Sequence, residues 1–406
     1  LVDLAIRTTG VDWDQGRSRY LAAACGTEAD PDFTRVREQV SKLVDISRVF
    51  EAAARARDIR ASVEGEAGHA RTAARHSFVA SILWGAAEWP FFVSADAARR
   101  AVEANELKVA AYRRYMTGAD HDVQALEMEF GDARLSAYLH LPPNASGPVP
   151  CVVHFGGMDS FKEHAVALDG DRFLERGIAR FVFDGPGQGE SIHAGVFVTS
   201  SNMVSAGLAA LQLLRGHAAI DSDRLGISGV SFGSFWATQL AAYAPDVVGT
   251  AVWALAHEPG CASIFGSASP TFKARFMAMA GLVDEEKFDE LAANHDLRSL
   301  ASHITHPYLA LSGEDDELSP LDATLELLAA MRSSRELLIY LGERHSLGGG
   351  PATRFGPHPI TVAADWFLDR FAGRESRNSV TVVGTDGSAS TQPLDQWLAV
   401  HRAAGG

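Results

Sequence analysis

Hydrophobic and polar positions change rhythm once along this chain, near residue 118. Before that point apolar residues recur three and four apart, the spacing that puts them on one face of a helix. Val36 to Arg60, His69 to Ala86 and Ala95 to Met116 all carry it, so residues 1 to about 118 are predicted to be helical. The stretch Trp84-Gly-Ala-Ala-Glu-Trp-Pro-Phe-Phe92 interrupts the pattern with a proline and crowds four aromatics together. Helix-to-helix packing is the first expectation for these rings.

Thr117-Gly-Ala-Asp-His-Asp122 reads as a linker, and beyond it the period shortens. Ala125 to Phe130 and Leu135 to Leu141, joined by Gly131-Asp132, read as a hairpin. Strands follow near 150–155, 179–183, 224–228, 249–255, 307–312 and 336–341, alternating with helical patterns. Such alternation predicts an α/β protein with a mostly parallel sheet and helices on both faces. About fifty residues separate the runs at 249–255 and 307–312, too many for a plain loop. Pro270 to Ala280 and Asp284 to Ala293 are helical within that stretch, which reads as a lid where Phe276, Met277 and Met279 either line a pocket or pack. Ser379 to Val383 suggests a late strand, Gly384 to Gln392 a polar turn and Pro393 to His401 a helix, with no function attached. The expected division is a helical cap over 1–118, a core over 119–375 with a lid at about 257–305, and a tail over 376–406.

The chemistry centres on Gly229-Val-Ser-Phe-Gly233, a G-x-S-x-G pattern between an apolar run and a helical one. That context makes a nucleophile elbow, where flanking glycines permit a turn tight enough to lift the Ser231 hydroxyl out of the sheet. A serine hydroxyl is a weak nucleophile and needs a base, which in turn needs an orienting acid. The expected chain order is Ser, then Asp or Glu, then His. The run at 307–312 leads into Gly313-Glu-Asp-Asp-Glu-Leu-Ser-Pro320, and the run at 336–341 into Gly342-Glu-Arg-His-Ser346. His345 is therefore read as the base and Asp316 as the acid, with Asp315 second. Glu314 to Glu317 are four consecutive carboxylates, so most of them belong to a solvated turn.

Stabilising a developing oxyanion takes two backbone N–H groups. Phe232 supplies one, directly after the serine. The buried run Cys151-Val-Val-His-Phe155 ends in Gly156-Gly157-Met158, where Gly157 or Met158 supplies the other. His257 and Glu258 follow a strand's carboxyl end, where open parallel sheets bind ligands, and are candidates for substrate contact along with Trp84 and Trp89. The loop Asp184-Gly-Pro-Gly-Gln-Gly-Glu-Ser191 lacks the ending of a phosphate-binding P-loop and is expected to shape the core beside the site.

The loops Phe155-Gly-Gly-Met-Asp-Ser-Phe-Lys-Glu163, Asp184 to Ser191 and Gly229 to Gly233 together resemble one branch of the alpha/beta-hydrolases. That branch includes 2,6-dihydroxy-pseudo-oxynicotine hydrolase and fungal hydrolases that shorten polyketide precursors. The resemblance covers roughly residues 60 to 372. It implies the alpha/beta-hydrolase fold, an N-terminal helical cap roofing the site, and hydrolysis through Ser231, Asp316 and His345. It extends to cleavage of a carbon–carbon bond in a 1,3-dicarbonyl or polyketide-like compound, and equally to a carboxylic ester.

Composition narrows the rest. A chain of 406 residues with 47% hydrophobic content can bury a large core. A net charge of −15 argues against nucleic acid and, more weakly, against anionic membranes. No apolar run reaches membrane-spanning length and no secretory leader pattern opens the sequence. Cys25, Cys151 and Cys261 are widely spaced and odd in number, which points to a reducing, cytoplasmic setting. No cluster has zinc-ligand spacing, so neither a metal nor a cofactor is expected. The expected partner is a small-molecule substrate, and a homodimer is left open. The rival readings are an acyl-transfer or cyclisation enzyme on the same scaffold and a non-catalytic ligand-binding module.

Overall fold

The computed structural model describes residues 1–404. Helices run over Val2–Thr9, Arg17–Cys25, Asp30–Gln39, Asp45–Glu66, Ala70–Glu88 and Ala95–Met116 before any strand appears. The pattern read as one helix from Val36 to Arg60 is two. Its break lies at 40–44, where the Asp45 carboxylate accepts from the backbone N–H groups of Ser41 (3.3 Å) and Lys42 (3.0 Å). Such side-chain capture of backbone donors starts a new helix instead of extending the old one. These helices share a core with each other, and Tyr138, Phe161 and Val182 from the sheet side complete it.

Ten strands then build one sheet: β1 (Val123–Phe130), β2 (Ala133–His140), β3 (Val149–Phe155), β4 (Ala179–Phe183), β5 (Ile220–Val230), β6 (Thr250–Trp253), β7 (Tyr308–Gly313), β8 (Arg335–Tyr340), β9 (Ser379–Val383) and β10 (Ala389–Pro393). Their spatial order is β1-β2-β4-β3-β5-β6-β7-β8-β9-β10. From β4 to β9 every neighbouring pair is parallel, while β1, β2 and β10 run antiparallel to their neighbours. The central strands are buried on both sides, as helices on both faces require. The chain therefore has the alpha/beta-hydrolase architecture, with strand ends of β3, β5, β7 and β8 gathered at one edge.

The strand β10 falls where the sequence predicts a polar turn. All five of its residues are exposed, so it has no buried face to impose an apolar alternation. Its pairing with β9, and that of β9 with β8, joins the end of the chain to the sheet. Between β6 and β7 lie helices Pro270–Met279 and Glu285–Ala293, preceded by a single π turn at Ser263–Ser267. No helix among the described residues is long and apolar enough to cross a membrane. Cys25, Cys151 and Cys261 are buried free thiols.

Candidate active site

Ser231 stands between β5 and the helix Phe232–Ala241 at φ 54°, ψ −128°. A non-glycine residue there is strained by about 1–3 kcal/mol and persists only where its surroundings enforce it. They do so by close approach. A Cβ on Gly233 would lie 2.2 Å from the Phe155 carbonyl oxygen, so only glycine lets the helix come this near the end of β3. The Ser231 N–H donates to the Trp253 carbonyl at the end of β6 (3.1 Å), which anchors the turn to the next strand.

The loops after β7 and β8 meet over that serine. His345 Nε2 is 2.9 Å from Ser231 Oγ. Its Nδ1 is 3.0 Å from each carboxylate oxygen of Asp316. Asp316 Oδ1 also accepts from the N–H groups of Leu318 (2.9 Å) and Ser319 (3.0 Å), which fixes the carboxylate plane. Among the four consecutive acids Asp316 alone is buried, and Glu314, Asp315 and Glu317 face solvent. His345 is 3% exposed. Burial disfavours its charged form, but Asp316 and then Glu317 outweigh burial and hold the imidazole above its ordinary value. The histidine loop is itself braced by Glu343, whose carboxylate accepts from Gly350 N–H, Thr353 N–H and the Thr353 hydroxyl, each at 2.7–2.9 Å.

The loop after β3 comes up beside the hydroxyl. A Cβ on Gly157 would stand 3.0 Å from Ser231 Cβ and 3.5 Å from its Oγ, so the backbone at Gly157 is within reach of anything bonded to Ser231. Phe232 opens its helix, so its N–H has no carbonyl one turn back to bond. The Gly157 carbonyl accepts from Gln188 Nε2 (2.8 Å) and from Ser160 N–H (3.0 Å). Gln188 thus gives the loop at 184–191 a specific task, holding the peptide plane beside Ser231. Nothing in the sequence distinguishes this glutamine from a solvated loop residue.

The remaining sequence candidates are placed as follows. His257 is buried against Thr238, Thr324 and Tyr308, and desolvation pushes its imidazole down to about 3. Glu258 accepts from the Ser263 N–H (2.5 Å) and hydroxyl (3.1 Å), capping the turn that follows. Trp84 lies among the helices and donates to Asp58 (2.8 Å). Trp89 sits beneath the Arg17 guanidinium, 4.1 Å from its ring centroid, and both line a cavity of about 30 Å³ with Trp13, Asp159 and Phe161. Phe276 and Met279 are fully buried, Met277 partly; the Phe276 ring lies 4.8 Å from that of Phe232, so the helix Pro270–Met279 packs on the residue next to the serine.

A second polar cluster lies behind the loop and is not legible in the sequence. Lys162 Nζ contacts Asp184 (2.8 Å), Glu190 (2.6 Å) and Glu163 (3.0 Å). Lys108, from the helix Ala95–Met116, contacts Glu88 (3.0 Å), which also meets His193 (3.0 Å). Glu163, Asp184 and Glu190 converge as a metal site would, with the Lys162 ammonium among them. Burial opposes charge on Glu88, but Lys108 and His193 prevail and hold its carboxyl down to about 2. The cluster bonds the N-terminal helices to the segment that carries Gly157 and Met158.

Known proteins share both the sequence pattern and the architecture. The model of the Esterase FrsA-like family matches residues 51–278. A 2,6-dihydropseudooxynicotine hydrolase of Paenarthrobacter nicotinovorans is 28% identical over 272 residues, spanning 64% of this chain and 68% of that protein. An Esterase FrsA of Photobacterium profundum is 26% identical over 188 residues, spanning 46% of this chain and 43% of that protein. The crystal structure of a 2,6-dihydroxy-pseudo-oxynicotine hydrolase superposes with a TM-score of 0.74 at 22% identity, covering 88% of this chain and 97% of that one.

Proposed function

The chain belongs to the FrsA-like esterase family of hydrolases, and from that premise we propose that it is a serine hydrolase acting on a substrate carbonyl through Ser231, His345 and Asp316. The observation that carries the reading is the continuous relay from Ser231 Oγ through both ring nitrogens of His345 to Asp316, at 2.9 and 3.0 Å. Asp316 keeps the Nδ1 proton in place and leaves Nε2 free to accept. His345 takes the Ser231 proton as Oγ adds to the carbonyl carbon. The N–H of Phe232 and that of Gly157 or Met158 receive the oxyanion. As the intermediate collapses, His345 protonates the leaving group. Water then attacks the acyl-enzyme as His345 accepts its proton, and His345 passes that proton to Ser231 Oγ as the acid product leaves.

Two leaving groups suit this sequence. From a carboxylic ester it is an alkoxide, which family membership favours. From a 1,3-dicarbonyl compound it is an enolate, whose negative charge its own carbonyl shares. The carbon–carbon reading rests on the resemblance carried by the loops at 155–163, 184–191 and 229–233, and is supported by the helix Pro270–Met279 packed on Phe232, an apolar wall that would help keep an enolate from bulk water. Cyclisation differs only in the nucleophile that meets the acyl-enzyme. The test is a panel of aryl esters and 1,3-diketones read by mass, with fluorophosphonate labelling alongside. Hydrolysis adds one water to the product mass, and Ser231→Ala must lose both label and turnover. Labelling elsewhere, or a folded Ser231→Ala protein with normal turnover, overturns the proposal.

A further inference from the structure

A closed ring of buried charges passes beneath the loop that carries Gly157 and Met158. It begins on the lid helix Pro270–Met279. Arg275 Nε pairs ionically with Asp159 Oδ1 at 2.8 Å and donates its hydrogen bond, at 3.4 Å, to the Met158 carbonyl. Arg17 Nε donates to the other oxygen of Asp159 (2.6 Å), and Arg17 Nη1 donates to Asp14 (2.6 Å). Asp14 then accepts from the Thr271 hydroxyl (2.7 Å), one turn from Arg275 on the same helix. Two guanidinium groups face two carboxylates, so the buried charge balances. Arg275 Nη1 also donates to the Trp89 carbonyl at the end of the helix Ala70–Glu88 (2.7 Å). One side chain therefore grips the lid, the N-terminal helices and the peptide next to Gly157.

Resting on the serine-hydrolase reading, we propose that Arg275 is a positioning residue: it holds the 158–159 peptide from the lid side, so that the oxyanion donors are assembled only while the lid helix is docked. Gln188 fixes the Gly157 carbonyl from the opposite side, and the two together set the orientation of the intervening N–H. Gly157 stands so close to Ser231 Oγ that small displacements decide whether a donor reaches the oxyanion. Any undocking of this helix, whose Phe276 packs 4.8 Å from the Phe232 ring, would take Arg275 away from Met158 and Asp159 and leave the loop without that support. Redocking restores it. Closure and assembly of the hole are then one event.

Full-length Arg275→Lys tests this with 4-nitrophenyl acetate as probe. Lysine keeps the charge opposite Asp159, but a single ammonium cannot also span to the carbonyls of Met158 and Trp89. The expected result is a fall in kcat of about 10- to 100-fold with KM within about threefold, since ground-state binding does not use the hole. Thr271→Val opens the ring without changing charge and should lower kcat in the same direction by less. Folded Arg275→Lys with kcat within about twofold of the parent overturns the proposal. So does a loss confined to KM, or a lower melting temperature with kcat unchanged, which is what a purely structural ring gives. If Arg275→Lys does not fold, Thr271→Val decides by the same kcat and KM criteria. Fluorophosphonate labelling of the parent at Ser231 is measured in parallel; its absence removes the hydrolase reading itself, whereas labelling with an indifferent Arg275→Lys removes only this one.

Discussion

Asp316→Asn changes one atom and should nearly silence the protein. In the parent, Oδ1 accepts from the Leu318 and Ser319 N–H groups, and both carboxylate oxygens lie 3.0 Å from His345 Nδ1. An asparagine keeps its carbonyl oxygen on the two backbone donors, because an amide NH₂ there would face two N–H groups. Its NH₂ then takes the place of Oδ2 and points at Nδ1. A donor facing Nδ1 forces the ring proton onto Nε2, which can no longer accept from Ser231. The wrong tautomer costs about 10⁴ in kcat, or about 5 kcal/mol of transition-state stabilisation. The pH profile supplies a second reading. In the parent, Asp316 and Glu317 hold the His345 imidazole above its ordinary value of 6.5, so activity falls on acidification through a midpoint above 6.5. Whatever activity Asp316→Asn retains should have that limb moved to lower pH. Asp315→Asn, at an exposed neighbour, is the control and should stay within about twofold. Steady-state hydrolysis of an activated aryl ester between about pH 5 and 9 measures all of this. An Asp316→Asn enzyme within about tenfold of the parent, or an equal loss in Asp315→Asn, refutes the assignment.

Ser231→Gly and Ser231→Ala should both be inactive but differ in stability: glycine relieves the positive φ and should unfold at higher urea by about 1 kcal/mol or more, while alanine stays near the parent. Equal midpoints for the two would show that the elbow stores no strain. Gly157→Ala would press a methyl group 3.0 Å from Ser231 Cβ and 3.3 Å from the Val230 carbonyl, so aryl-ester turnover should drop by more than about tenfold; unchanged turnover would mean that the loop lies farther from the reaction. Glu88, held at about 2 against an ordinary 4.5, contributes stability that is complete above pH 4.5 and lost as pH falls through 2, about 3 kcal/mol in all. Urea melts at about pH 6, 4 and 3 should show this slope in the parent and a shallower one in Glu88→Gln.

The sequence exposed whatever depends on local pattern. The elbow was readable because Gly229, Ser231 and Gly233 obey a steric rule within five residues, and the parallel strands because burial on both faces leaves apolar runs. His345 and Asp316 stand as candidates from their positions after strands, with Asp315 second, and the fold brings those two side chains, His345 and Asp316, together while leaving the neighbouring acids exposed. Arg17, Asp14, Lys108, Lys162, Gln188 and Arg275 were not readable. Each acts through partners far away in sequence (Arg17 and Asp159 are 142 positions apart), and nothing local marks a charged residue that the fold will bury. The edge strand β10 was missed for the opposite reason, since its exposed residues carry no alternation at all.

That edge strand bears on how the molecule behaves in a crowd. An open sheet can keep growing only at its two outermost strands. At one end β10 exposes Ala389-Ser-Thr-Gln-Pro393, short and polar, and Pro393 has no N–H to offer. At the other, β1 turns the exposed side chains of Glu127 and Glu129 outward on a chain already at −15. Neither rim is a good template for a strand from another copy. Any pairing of two such molecules is therefore expected to go through helical surfaces, and the sheet itself should resist seeding aggregation even at high concentration.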